Sequence, residues 1–154
     1  MQNSDAKAES ADQDSQILLV EDDIDDANLI KRIIHRAPIS VDVHICANGQ
    51  EALDHLSECE ATGNGKLPDL ILLDMNMPVM NGTEFLKALR GHATLKALPI
   101  CVFTTSQDEA IIKAAYEDGA NVVVTKVASL EGMRKVVETI VNFWFSTAKH
   151  YYVE

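Results

Sequence analysis

The segment Pro68-Asp69-Leu70-Ile71-Leu72-Leu73-Asp74-Met75-Asn76-Met77-Pro78 limits the folds open to this chain more than any other. Leu70 to Leu73 is an unbroken aliphatic run, too short for a helix and preceded by proline. Such a run reads as a strand buried on both faces, the kind found in parallel sheets. It delivers Asp74 to its carboxyl end, where open α/β folds place their ligands. Taken alone, a carboxylate there is more often a cap for the strand or the next loop. The rest of the chain decides between the two.

Residues 1–15 are small and polar and cannot bury enough apolar surface to order themselves, so a flexible tail is expected before a folded domain over 16–154. Ile17 to Val20 is a first buried strand, ending in Glu21-Asp22-Asp23. A helix from about Asp25 carries Ala27, Ile30, Ile33 and Ile34 at helical spacing, and Pro38 lies beyond its end. Val41, Val43 and Ile45 alternate with polar residues, as an edge strand does. A second helix follows the Asn48-Gly49 turn through Ala52, Leu53 and Leu56 to about Cys59, and Ala61 to Lys66 is a loop on composition. After the central strand, Asn81 or Thr83 caps a third helix through Phe85, Leu86 and Leu89. Leu98 to Phe103 is a buried strand ending in Thr104-Thr105-Ser106. Ile111, Ile112, Ala115 and Tyr116 mark a fourth helix, stopped by Asp118-Gly119. Val122 to Thr125 is a fifth strand ending in Lys126, and Ser129 caps a last helix through Met133, Val137, Ile140 and Trp144. This alternation predicts an α/β fold: a flavodoxin-like (βα)5 doubly wound parallel sheet of strand order 2-1-3-4-5.

Charge and cysteine usage narrow the function. A net charge of −11 over 154 residues argues against a nucleic-acid partner, since phosphate backbones demand a basic face, and lends no support to an anionic membrane surface. Cys46, Cys59 and Cys101 show no CxxC pairing and read as buried thiols of a reducing compartment. No secretory signal or membrane-length apolar run is visible, so a cytoplasmic location is expected.

In the predicted strand order, Glu21, Asp22, Asp74, Thr104 and Lys126 all fall at strand ends on one edge of the sheet. Converging carboxylates repel unless protonated or bound to a cation, and hard oxygen ligands with room for water suit Mg²⁺. A lysine and a hydroxyl beside the metal can bind phosphoryl oxygens. The set suits phosphoryl transfer with Asp74 as a carboxylate nucleophile. Singly, each residue has a plainer explanation: an exposed lysine, a strand threonine, an acidic helix start. Jointly, those explanations need four separate accidents.

These stretches together resemble the receiver domain of two-component response regulators: Ile17-Leu-Leu-Val-Glu-Asp-Asp23, Asp69 to Pro78, Asn81-Gly82, Phe103-Thr-Thr-Ser106 and Asp118-Gly-Ala120 with Thr125-Lys126. The resemblance spans roughly residues 16 to 145. It implies that Asp74 is the phosphorylated aspartate and that Asp22, Asp74 and the Asn76 carbonyl ligate Mg²⁺, with Glu21 acting through a metal-bound water. It also implies that Thr104 and Lys126 contact the phosphoryl group, and that Asn76 and Ser106 tune its lifetime. Departures from the pattern are Val127, where proline usually follows the lysine, Val123, where an aromatic switch residue often stands, and the slightly bulky Thr105. The first raises the question of whether a trans bond at Lys126-Val127 displaces the lysine. Two rivals stay in view. A Mg²⁺-dependent phosphatase would need an acid where Asn76 stands, and a pseudo-receiver would bind partners without taking phosphate.

No output domain is expected after the last helix. That helix is apolar over more than a packing stripe, through Met133, Val136, Val137, Ile140, Val141, Phe143, Trp144 and Phe145. The excess suggests a homodimer through this helix and the tail aromatics Tyr151 and Tyr152, with a ragged core helix as the plainer alternative. The Thr104 loop and the Phe-Trp-Phe ending are similar to the stand-alone regulators of bacterial phytochrome histidine kinases. That similarity implies a sensor histidine kinase, of bacteriophytochrome type, as phosphodonor.

Overall fold

The computed structural model describes residues 15–62 and 66–149. Most of the expected N-terminal tail, the centre of the 61–66 loop and the tail aromatics Tyr151 and Tyr152 lie outside the described residues. In chain order the elements are β1 (Gln16–Val20), α1 (Ile24–Arg36), β2 (Asp42–Cys46), α2 (Gly49–Thr62) and β3 (Leu70–Asp74). They continue with α3 (Gly82–Arg90), β4 (Ile100–Thr104), α4 (Glu109–Glu117), β5 (Val122–Thr125) and α5 (Leu130–Asn142), which runs into a π-helical turn, Phe143–Thr147. All strand pairs are parallel, in the order β2-β1-β3-β4-β5.

The aliphatic runs of β1, β3 and β4 are continuous because both faces of the sheet are covered. Leu18, Val20, Ile71 and Leu73 point to one face and pack with Ala52, Leu56, Phe85, Leu86 and Leu89 of α2 and α3. Ile17, Leu19, Leu70 and Leu72 point to the other and meet Ala27, Ile30 and Ile34 of α1 with Met133, Val137 and Val141 of α5. β2 is an edge strand, as its alternation predicts, and Val41 sits buried just before it. Caps fix where helices start: Asp23 for α1, Ser129 for α5, and for α3 a capping box between Asn81 and Glu84. Of the two candidates at α3, Asn81 is the cap.

Two elements, α2 and the last helix, differ from the expectation, and a third, α4, forms where expected but is little buried. α2 runs one turn past Cys59 and absorbs Ala61 and Thr62 from the expected loop. α4 buries only Ala115, and Ile111 and Tyr116 are each 45% exposed, because β5 beside it is an edge strand with little sheet to cover. The last helix uses most of its apolar surplus internally: Val136, Ile140, Trp144 and Phe145 pack against the α1–α5 core, and Trp144 Nε1 donates to the Asp69 carbonyl at 3.0 Å. The switch to π pitch at Phe143 aims Trp144 and Phe145 at the core and leaves Phe143 57% exposed.

Candidate functional site

Parallel pairing brings the carboxyl ends of β1, β3, β4 and β5 to one edge, and each supplies a polar group. Glu21 follows β1, with its N–H donating to the Cys46 carbonyl at 2.9 Å, and its side chain is buried. Asp23 turns away to cap α1 and receives the Asp25 and Asp26 amides at 3.0 Å, so Asp22 is left facing outward. Asp74 ends β3 and is buried. One oxygen from each of Glu21, Asp22 and Asp74 lies within 4.8 Å of the others. Lys126, after β5, places its Nζ 2.7 Å from Glu21, 3.6 Å from Asp74 and 3.6 Å from Asp26. The Lys126 amide donates to the Thr104 carbonyl at 2.7 Å, which pins the two strand ends together. The Thr104 side chain is buried, and its Oγ1 accepts from the Ser106 amide at 3.1 Å.

There is no cis peptide bond among the described residues, so Lys126 reaches the acids across a trans bond to Val127. The departure at Val127 does not displace it. Asn76 is exposed beside the cluster, and its backbone N–H is a hydrogen-bond donor to Asp74. Sequence reasoning missed Asp26, the third carboxylate around the lysine. Its place four residues after Asp22, one turn into a helix, was the available signal. It also took Tyr116 only as a helix residue: its hydroxyl accepts the Val123 amide of β5 at 3.1 Å and satisfies that one donor.

The electrostatics are those of a cluster short of positive charge. Burial pushes Glu21 up to about 7, the Asp74 charge adds to this, and the Lys126 hydrogen bond opposes it. Burial also raises Asp74 above the usual carboxylate range, against the pull of Lys126 and the Asn76 amide. Burial alone would lower Lys126, but the hydrogen bond to Glu21 and the surrounding carboxylates hold it above its ordinary value. One ammonium among partly buried carboxylates leaves them under-neutralised, and all the donors are hard oxygens. The residues therefore fit a divalent cation of the magnesium–manganese type.

A five-stranded parallel sheet with an acid cluster, an aspartate, a hydroxyl and a lysine at its carboxyl edge is the architecture of a receiver-type signalling module. The response regulator receiver domain family matches residues 17–138, and the chain belongs to that family. Among curated relatives, response regulator Rcp1 of Synechocystis sp. (strain ATCC 27184 / PCC 6803 / Kazusa) is 35% identical over 131 residues, covering 85% of this chain and 89% of its own. The structure of the phosphorylated cyanobacterial phytochrome response regulator RcpA aligns with TM-score 0.81 and 36% identity, over 88% of this chain and 96% of that one. The Mn²⁺-bound form of Rcp1 aligns with TM-score 0.79 and 34% identity, over 88% and 97% of the two chains. This is a two-component receiver domain related to phytochrome response regulators. No helix among the described residues is long and apolar enough to cross a membrane.

Proposed function

We propose that this chain is a single-domain response regulator that takes a phosphoryl group from the phosphohistidine of a sensor histidine kinase onto Asp74, in a Mg²⁺-dependent reaction. The observation that carries the reading is Lys126 Nζ held 2.7 Å from Glu21 and 3.6 Å from Asp74, beside three carboxylates gathered within 4.8 Å. An Asp74 oxygen attacks phosphorus, the P–N bond breaks, and the imidazole leaves with the electron pair and takes up a proton. Asp22, Asp74 and the Asn76 carbonyl would hold the cation, with Glu21 beside them in the same cluster. The cation, when bound, offsets the carboxylate and phosphoryl charge that would otherwise repel. Lys126 pairs with a phosphoryl oxygen. The Thr104 hydroxyl keeps its acceptor bond from Ser106 and has its own hydrogen to donate to another. Contacts made only in the phosphorylated state shift the population between two surface states, and that shift is the signal. The chain turns over no external substrate; it assists its own phosphorylation and hydrolysis.

The asparagine at position 76 speaks against a phosphatase, which needs an acid two residues after its nucleophile. The placement of Lys126 despite Val127 speaks against a pseudo-receiver. The likeness to RcpA, a cyanobacterial phytochrome response regulator, supports a phytochrome-type kinase as donor. A homodimer through the end of the last helix is part of this reading, and the exposed apolar residue there that supports it is Phe143, 57% exposed. The test is intact mass after incubation with acetyl phosphate, with Mg²⁺ or with EDTA, on wild type and Asp74→Asn. One added phosphoryl group that needs both Mg²⁺ and Asp74 is the expected result. If neither that adduct nor beryllofluoride binding occurs, the phosphoacceptor reading is lost. Light scattering on the same samples reports whether two copies associate.

A further inference from the structure

Edge strand β2 and helix α2 hold between them side chains that the acidic site does not use. His44 on β2 stacks on His55 of α2, with ring centroids 3.9 Å apart and planes 7° from parallel. One helical turn further, Cys59 Sγ lies 3.7 Å from His55 Nε2. All three line a cavity of about 270 Å³, together with Asp42, which shares the His44 face of β2. Gln16 and Asp42 begin their strands and line the same cavity, so it lies toward the end of the sheet opposite Asp74.

Two facing imidazoles at this distance repel if both are charged. Burial and the neighbouring His44 lower His55, while Glu58 opposes them. Burial and the Glu58 charge raise Cys59, so the thiol is protonated and poorly nucleophilic. What remains is a set of neutral nitrogen and sulfur donors in a cavity whose lining also carries one acid, Asp42, and one lysine, Lys66, which stands 3.5 Å from Asp69. Its spacing is informative: tetrahedral zinc with its usual Zn–N and Zn–S bonds holds the two ligand atoms about 3.6 Å apart. His55 and Cys59, at positions i and i+4 of one helix, already stand at that separation.

We propose that His55, Cys59 and His44 form a second metal site, which takes a zinc-class divalent cation through nitrogen and sulfur, with the Asp42 carboxylate as fourth ligand. His55 and Cys59 alone stand at ligand separation, and neither His44 nor Asp42 completes a group within 4.8 Å with them. Both are exposed on the edge strand, so both side chains can turn about χ1 and χ2 to close on the ion, His44 exchanging stacking for coordination. Cys59 releases its proton to solvent as the metal–sulfur bond forms. The donor set separates this site from the all-oxygen cluster at Asp74, which prefers hard cations. A bound ion would clamp the edge strand, paired only to β1, onto α2.

The test is a titration with Co²⁺ as the spectroscopic probe, with Mg²⁺ in excess to occupy the oxygen site. A near-ultraviolet thiolate-to-cobalt charge-transfer band saturating at one equivalent is expected, displaced by Zn²⁺. It should vanish in Cys59→Ser and weaken in both His55→Gln and His44→Gln. No band in wild type, a band that survives Cys59→Ser, or one unaltered by either histidine change overturns the proposal. Should a variant fail to fold, alkylation of wild type followed by peptide mass mapping decides. Zn²⁺ protecting Cys59 supports the site, and an unchanged rate at Cys59 overturns it.

Discussion

Val79 is a β-branched residue held at φ 67° and 80% exposed, in the loop that carries Asp74 toward α3. Positive φ costs an L-residue roughly 1–2 kcal/mol, and valine gains nothing there by burial. Val79→Gly should therefore stabilise the fold by about 1 kcal/mol, less the entropy that glycine regains when unfolded, with Val79→Asn close behind. Chemical denaturation midpoints measure this, and a loss of stability in both variants would count against a strained loop. At Glu21 the prediction concerns pH. Its folded-state value of about 7 lies above the ordinary 4.5, so the folded protein binds the extra proton. Stability from this group is fully present below about 4.5 and is lost as pH rises toward about 7. In EDTA, the stability advantage of Glu21→Gln over wild type should grow across that window and shrink when Mg²⁺ is added. A pH-independent difference between the two proteins would contradict this assignment.

Helix α3 owes its position to both its ends. At its start, a Cβ on Gly82 would lie 2.7 Å from Met75 Cα and 2.9 Å from the Asp74 carbonyl. Gly82→Ala should displace the β3–α3 loop and slow phosphorylation at Asp74 while the protein stays folded; acetyl phosphate kinetics beside circular dichroism separate the two effects. At its other end, the Arg90 guanidinium donates to the carbonyls of Gly119, Lys96 and Leu98 and to Asn121 Oδ1, tying α3 to the turns before β4 and β5. Arg90→Ala strands several of these acceptors and should cost about 2–4 kcal/mol, and Arg90→Lys should recover little because one ammonium cannot span the fork. Thermal melts of the two variants check the order. Helix periodicity was a reliable guide where a whole face is buried, as in α1, with Ala27, Ile30, Ile33 and Ile34 all inside. It placed α4 correctly too, up to its stop at Asp118, but there the spaced face buries only Ala115, because the sheet beside it has run out of strands. Nothing local to Arg90 announced its role, since its acceptors come from segments 6 to 31 residues away.

At the scale of the whole molecule, divalent binding and folding are linked. A cation bound only by the folded acid cluster should add about 2.7 kcal/mol at a hundredfold excess over its dissociation constant. Melting temperature should rise with Mg²⁺ in wild type, and rise less in Asp22→Asn and Asp74→Asn; equal shifts in all three would place the ion elsewhere. The apolar runs of β1, β3 and β4, the caps and the turn residues are local properties, and they made the fold and strand order legible. The polar groups at strand ends were legible as well, because a parallel sheet sends every strand end after a buried run to the same edge. Tertiary structure alone decided what those groups do to one another. Asp26 joins Lys126, the trans bond at Val127 leaves the lysine in place, and Tyr116 serves the amide of Val123. The last helix likewise turns Trp144 and Phe145 onto the core and leaves Phe143 outside. Pattern along a chain records which faces are buried, but charges and hydrogen bonds depend on distances between elements far apart in sequence, and only the packed fold sets those.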